Sequence, residues 1–149
     1  MMTIAAWTTR ILTAETAIIE LTPPEHPGPQ GWSVTPLVEA LREQGARAVW
    51  VDRLPVCNKE SLLRALDQAC QFPDYFGFNW DALSDVLVEI AAAAPAPLVL
   101  IFRDFDGLRD EAPRDARVFL DIIEEVHELL DWGALHLVVV RHGARLPRP

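Results

Sequence analysis

Two carboxylates four residues apart, Asp81 and Asp85, follow an aromatic turn, Tyr75-Phe76-Gly77-Phe78. Asn79 stands between turn and acids. Asparagine is a good helix N-cap, because its side-chain oxygen accepts a backbone N–H that the helix leaves unpaired. A helix starting there puts Asp81 in the first turn, where the positive end of the helix dipole favours a carboxylate. At about 100° per residue, Trp80, Leu83, Val86, Leu87 and Ile90 cluster on one side. Asp81, Ser84, Asp85 and Val88 share the other. Like charges at i and i+4 destabilise an isolated helix by a few tenths of a kcal/mol. Two outward carboxylates on a rigid helix suit the recognition of something positively charged. An ordinary acidic solvent face has the same pattern and is its more frequent use.

A further acid comes from the helix expected after Pro113. Val118, Phe119, Ile122, Ile123, Val126 and Leu130 form its core stripe. Glu124 falls well outside that stripe, whereas Glu125 lies on its border and can reach toward a neighbouring helix.

The charge distribution points the same way. The 149 residues carry a formal net charge of -9. From Asp74 to Asp131 there are 14 acidic and 4 basic residues; the rest of the chain holds 8 and 9. All of the excess is therefore in the central stretch. Such a field repels nucleic acid, which needs Lys and Arg against its phosphates. It speeds encounter with a basic partner.

Other chemistry finds little support. His26, His127, His136 and His142 form no catalytic spacing, and no phosphate loop or HExxH motif is present. Cys57 and Cys70 are too few for a disulfide framework and have no metal-ligand spacing, so two reduced thiols are expected. Clustered acids can hold Mg²⁺ for phosphoryl chemistry, but a nuclease needs basic residues that this region lacks. No cofactor and no metal are expected. The longest apolar run, Ile90 to Phe102, is too short to span a bilayer and contains Pro95 and Pro97. The first residues, MMTIAAWTTR, have neither the basic start nor the long apolar centre of a secretion signal. The expectation is a cytoplasmic protein with no membrane contact.

Strands alternate with helices along the chain. Thr16–Leu21, Ala48–Val51, Leu98–Phe102 and Leu135–Val140 read as strands. Thr35-Pro36 looks like an N-cap with proline after it, opening a helix faced by Leu37, Val38 and Leu41 and ended by Gly45. Asn58 can cap a helix faced by Leu62, Leu63, Leu66 and Cys70, stopped at Phe72-Pro73. Residues 103–112 read as an acidic loop before the Pro113–Leu130 helix. Pro23, Pro24, Pro27, Gly28, Pro29 and Gly31 make a loop. The tail after His142 is expected to fray. This pattern predicts an α/β protein with a parallel sheet. It is read as a single domain over 1–149, with residues 1–45 as a small N-terminal unit and 46–142 as the core.

At the level of family, the segment Pro73-Asp74-Tyr75-Phe76-Gly77-Phe78-Asn79-Trp80-Asp81-Ala82-Leu83 with Asp85 resembles the signature of barstar-type inhibitors of microbial ribonucleases. The run Pro97-Leu98-Val99-Leu100-Ile101-Phe102-Arg103-Asp104-Phe105 is similar to their next strand and loop. The resemblance covers roughly Ala48 to Val140. It implies a barstar-like layered fold, a small parallel sheet packed with helices, here extended by an N-terminal strand and helix. It implies an inhibitor, not an enzyme, that plugs a ribonuclease active site with a helix and its preceding loop. Asp85 matches the acid that enters the phosphate site, and Asp81 a second acid at the basic rim. Tyr75 matches an aromatic that packs on the enzyme's catalytic histidine. Gly77 and Asn79 match interface loop residues, and Glu125 a carboxylate on the last helix. The surface expected to meet the partner comprises Tyr75, Phe76, Gly77, Asn79, Trp80, Asp81, Ser84, Asp85, Val88 and Glu125.

Three positions depart from the family pattern. Ser84 stands where barstar has a tryptophan, Phe78 replaces an acid and Phe76 replaces a tyrosine. They put the identity of the ribonuclease in question more than the mode of binding. The expected partner is a secreted microbial ribonuclease with a basic active site, met by a protein that is monomeric when free. The alternative is an immunity or regulatory protein of the same fold that binds a different basic protein, since fold does not dictate partner.

Overall fold

A computed structural model describes residues 3–23, 33–52, 56–131 and 133–141. The elements run α1 (Ile4–Leu12), β1 (Ile18–Leu21), α2 (Thr35–Glu43), β2 (Arg47–Asp52), α3 (Lys59–Cys70), α4 (Trp80–Ala92), β3 (Leu98–Arg103), α5 (Phe105–Glu111), α6 (Pro113–Leu129) and β4 (Leu135–Val140). The four strands form one parallel sheet in the order β1-β4-β3-β2. The expected α/β class and parallel sheet are therefore present.

The strand order explains the layering. The chain crosses from β1 at one edge to β2 at the other, then steps back through β3 to β4. Right-handed crossovers in opposite directions put their helices on opposite faces. Helix α2, with Leu37, Val38 and Leu41, shares a core with Ile11 of α1 and with Val99, Ile101, Val138 and Val140. The alternate residues Leu98, Leu100, Phe102, Leu135, Leu137 and Val139 face the other way, into the core of α3, α4, α5 and α6. The central strands are covered on both sides, which is why LVLIF and LHLVVV read as unbroken apolar runs.

Sequence and structure differ in three places. Residues 103–112 are not a loop throughout: β3 extends to Arg103, and Phe105–Glu111 is helical. Phe105 and Leu108, three residues apart, are both fully buried. The Phe105 ring packs edge-on against Phe102 at 5.0 Å, so tertiary burial overrides the acidic composition. Helix α1 was not foreseen, because the Thr8-Thr9 pair interrupts its apolar pattern; Thr3 caps it through Ala6 N–H at 3.1 Å. At α2 the N-cap is Val34, not Thr35, and the Ser33 hydroxyl accepts the Thr35 N–H at 3.1 Å. The Pro/Gly loop at 24–32 and the tail from His142 lie outside the described residues. Both cysteines are free, and burial followed by the charge of Asp67 pushes the Cys70 thiol up to about 12.

The N-terminal segment is stitched to the rest through β4. Leu137 N–H donates to Ala17 O at 2.8 Å and Arg141 N–H to Leu21 O at 2.9 Å. His136, fully buried, donates from Nδ1 to the Thr16 carbonyl at 3.0 Å. Its Nε2 is buried without a partner among the described residues, which suits the neutral Nδ1-protonated ring.

Burial pushes the His136 imidazole below its usual range; the Thr16 hydrogen bond opposes this, and the charge of nearby His127 adds to it. The unfolded chain takes up this proton as pH falls through about 6.5, while the folded protein resists it. The unfolded state then binds more protons, so stability is full above about pH 6.5 and declines below it. Urea unfolding at pH 7.5 and 5.5 checks this. The wild type should lose more stability over that interval than His136→Asn, whose amide can still donate to Thr16.

Candidate functional site

The site is built where α3 gives way to α4. Helix α3 ends with Gln71 at its C-cap in the left-handed region, φ 54°. Phe72 and Phe76 are buried, their rings 4.8 Å apart and edge-on. The Phe76 N–H closes a turn onto Pro73 O at 2.9 Å. This leaves Asp74 and Tyr75 at the tip of an exposed loop.

Helix α4 then begins as expected. Asn79 is extended, φ -137° and ψ 170°, and its Oδ1 accepts the Ala82 N–H at 2.8 Å. Gly77 lies against this cap: a side chain there would come within 3.3 Å of Asn79 Nδ2 and 3.7 Å of Ala82 Cβ. Leu83, Val86 and Leu87 are buried beneath the helix. Asp81, Asp85 and Glu89 are exposed above it. At i, i+4 and i+8 they form one stripe, each about 6 Å further along the axis. The Tyr75 hydroxyl donates to the Glu89 carboxylate, which ties the loop tip to the far end of the stripe. That bond, followed by desolvation and the carboxylate's charge, holds the phenol above its ordinary range.

The other end of α4 is held from a distance. The Arg47 guanidinium donates from Nη1 to Ile90 O at 2.7 Å, and from Nη2 to Ala91 O at 3.1 Å and Ala96 O at 2.9 Å. Carbonyls in a last helical turn lack intrahelical donors, and a cation there also suits the dipole. Helix α6 packs beside α4 and exposes Asp121, Glu124, Glu125 and Glu128. Two adjacent helices thus present seven exposed carboxylates.

The expected site residues divide by burial. Tyr75, Gly77, Asn79, Asp81, Asp85 and Glu125 are exposed. Ser84 and Val88 are half-buried, and Val88 packs against the core. Trp80 is half-buried with the Lys59 ammonium 5.9 Å from its ring centre. Phe76 is buried, so its ring supports the loop from beneath. Glu89 and Arg47 were not singled out from the sequence. Glu89 was findable, lying four residues beyond Asp85. Arg47 was not: no local pattern links it to carbonyls more than 40 residues away.

Phe78, noted in the sequence as a departure from the family pattern but not among the expected contact residues, also lies on this surface. It is 50% exposed, adopts φ 53°, and stacks on Phe76 at 4.8 Å. Left-handed backbone at a bulky residue costs roughly 1–2 kcal/mol.

Among the described residues, no three His, Cys, Asp or Glu side chains are grouped so as to hold a metal ion. No helix among them is long and apolar enough to cross a membrane.

Residues 46–141 match the family described as Barstar (barnase inhibitor). The chain belongs to the barstar family. Comparison with curated proteins gave no match. The fold itself is more widely shared. The ORC2 protein of Aeropyrum pernix is similar at 16% identity and TM-score 0.62, over 95% of this chain and 40% of that one. Drosophila ORC bound to DNA is similar at 17% and 0.57, over 96% and 37%. A Walker-type ATPase of Pyrococcus abyssi is similar at 12% and 0.57, over 91% and 43%. These likenesses are of fold alone, and the chain spans about two fifths of each of those proteins. They reach across the N-terminal layer, which the barstar-family match leaves out.

Removing either clamp on α4 should loosen the helix. Asn79→Ala should cost about 1 kcal/mol. Arg47→Ala should cost about 2 kcal/mol, because it takes the guanidinium from the Ala91 and Ala96 carbonyls and leaves Ile90 O with only the Ala93 N–H. Urea denaturation of the two variants measures this; midpoints equal to wild type would mean that neither group holds its end.

Proposed function

We propose that the chain is a protein inhibitor of a secreted microbial ribonuclease, acting inside the cell that makes it. The observation that carries the reading is the exposed Asp81–Asp85–Glu89 stripe on a helix clamped at both ends, in a chain of the barstar family. A ribonuclease holds a phosphate that carries negative charge, so it keeps cationic side chains at that place. A carboxylate on a folded helix can occupy the same place. Because the helix is already ordered, less conformational freedom is lost on binding. Asp85 enters the cationic site, Asp81 meets its rim, and Tyr75 packs beside them on the loop tip. Glu125 approaches from α6.

Non-enzymatic action fits the family and the sequence. In phosphate-binding α/β proteins a glycine-rich loop with a lysine joins strand to helix. No such run occurs in the 149 residues: the single lysine, Lys59, follows no glycine-rich stretch and precedes Glu60 rather than Ser or Thr. The likeness to Walker-type ATPase folds therefore lacks the group that would grip a nucleotide.

Inhibition of a panel of purified secreted microbial ribonucleases, barnase included, tests the proposal. The wild type should inhibit at least one member at a one-to-one ratio. Asp85→Ala should weaken that inhibition by about 2 kcal/mol or more, roughly thirtyfold, mainly through faster dissociation. Unchanged dissociation would remove Asp85 from the contact. No inhibition of any member would shift the reading to a different basic protein.

The same pair gives a salt test. Association should slow steeply as ionic strength rises from about 0.01 to 1 M, over which the Debye length shrinks from roughly 30 to 3 Å. A flat salt series would show that the acidic face does not steer the encounter.

A further inference from the structure

Four large hydrophobic side chains among the described residues are exposed: Trp50, Tyr75, Phe78 and Leu129. Two of them, Tyr75 and Phe78, lie three residues apart on the loop that leads into α4. Tyr75 is tied down by Glu89. Phe78 is held differently. Its ring is the outermost of a stack that starts in the core, Phe72 on Phe76 on Phe78, with centroid spacings of 4.8 Å at both steps. Phe78 is nevertheless half exposed to solvent.

The backbone makes this position unusual. Phe78 sits at φ 53°, a region that bulky side chains rarely adopt and that glycine or asparagine enters readily. A chain selected only for stability would place one of those residues here. Strained residues that persist at an exposed loop point to a use outside the fold. Exposed aromatics of restricted motion are also the side chains that anchor protein interfaces.

Charge selects the occupant. Asp74, Asp81, Asp85 and Glu89, all exposed, lie on the same loop and helix as Phe78. A second copy would set like charges against each other, and an anionic membrane or nucleic acid would be repelled. A cationic protein surface would not. We propose that Phe78 is a specificity-determining apolar anchor, so that the partner must carry an apolar pocket beside the cationic cleft that receives Asp81 and Asp85. The inference rests on the proposed inhibitory function and names a feature of the partner that the acids alone do not select.

Half-buried Ser84 lies one turn into the helix, so the large exposed apolar side chains of this surface, Tyr75 and Phe78, are both on the loop. A ribonuclease whose rim offers only cations opposite residue 78 is a poor fit; one with an apolar rim pocket is a good one.

The test uses the full chain with Phe78→Asn, Phe78→Leu and Asp85→Ala. Its probe is whichever ribonuclease of the panel, barnase included, the wild type inhibits. Asparagine tolerates the left-handed backbone, so the thermal midpoint of Phe78→Asn should equal or exceed that of wild type. Its affinity should fall about tenfold through faster dissociation, with the salt dependence of association unchanged. Phe78→Leu keeps an apolar group and should recover part of the loss. Asp85→Ala should instead reduce the salt dependence. Binding by Phe78→Asn within twofold of wild type, while Asp85→Ala fails, overturns the anchor and leaves the inhibitor reading standing. A fall of several degrees in the Phe78→Asn midpoint overturns it as well, since Phe78 is then a packing residue. Failure of the wild type to inhibit any member overturns both.

Discussion

Everything that the acidic surface can do depends on how α4 is held. Its carboxylates at i, i+4 and i+8 repel each other, which works against a helix on its own. The helix persists because Asn79 satisfies its first turn and the Arg47 guanidinium satisfies its last. Between these ends, Leu83, Val86 and Leu87 are buried. Burying a side chain of this size contributes about 1.5–3 kcal/mol, far above the repulsion between neighbouring exposed acids. The fold thus tolerates a locally unfavourable charge pattern and keeps it rigid.

Arg47 also explains why the sheet and the site are one object. It is the first residue of β2, paired with Leu98 of β3, while its side chain closes α4. Displacement of the sheet edge would therefore displace the helix. At the other end of α4, the loop is fastened by the Phe72–Phe76 stack below and by the Tyr75–Glu89 hydrogen bond above. A surface fixed at this many points loses little freedom on binding.

The N-terminal layer has a different role. Helices α1 and α2 cover the face of β3 and β4 that α3, α4 and α6 do not reach. Without that cover, Val99, Ile101, Val138 and Val140 would face water. The buried His136 and the β1–β4 ladder join this layer to the family core. The histidine makes the junction sensitive to proton uptake.

Much was legible in the sequence, for local reasons. The apolar runs of β3 and β4, the Asn58 and Asn79 caps, the core stripe of α4 and the exposure of Asp81 and Asp85 all follow from periodicity and capping chemistry within a few residues. The family signature is likewise contiguous, from Pro73 to Asp85. What the tertiary structure alone decided involves partners far apart in the chain. Helix α5 forms because Phe105 and Leu108 find a core, despite an acidic composition. Arg47 reaches carbonyls more than 40 residues away, and α1, β1 and α2 become a covering layer by pairing β1 with β4. The exposure and left-handed backbone of Phe78 are also tertiary, set by a ring stacked on a buried neighbour. Local free energies could be read from the order of residues; contacts that close long loops could not, because many alternative pairings share the same sequence pattern.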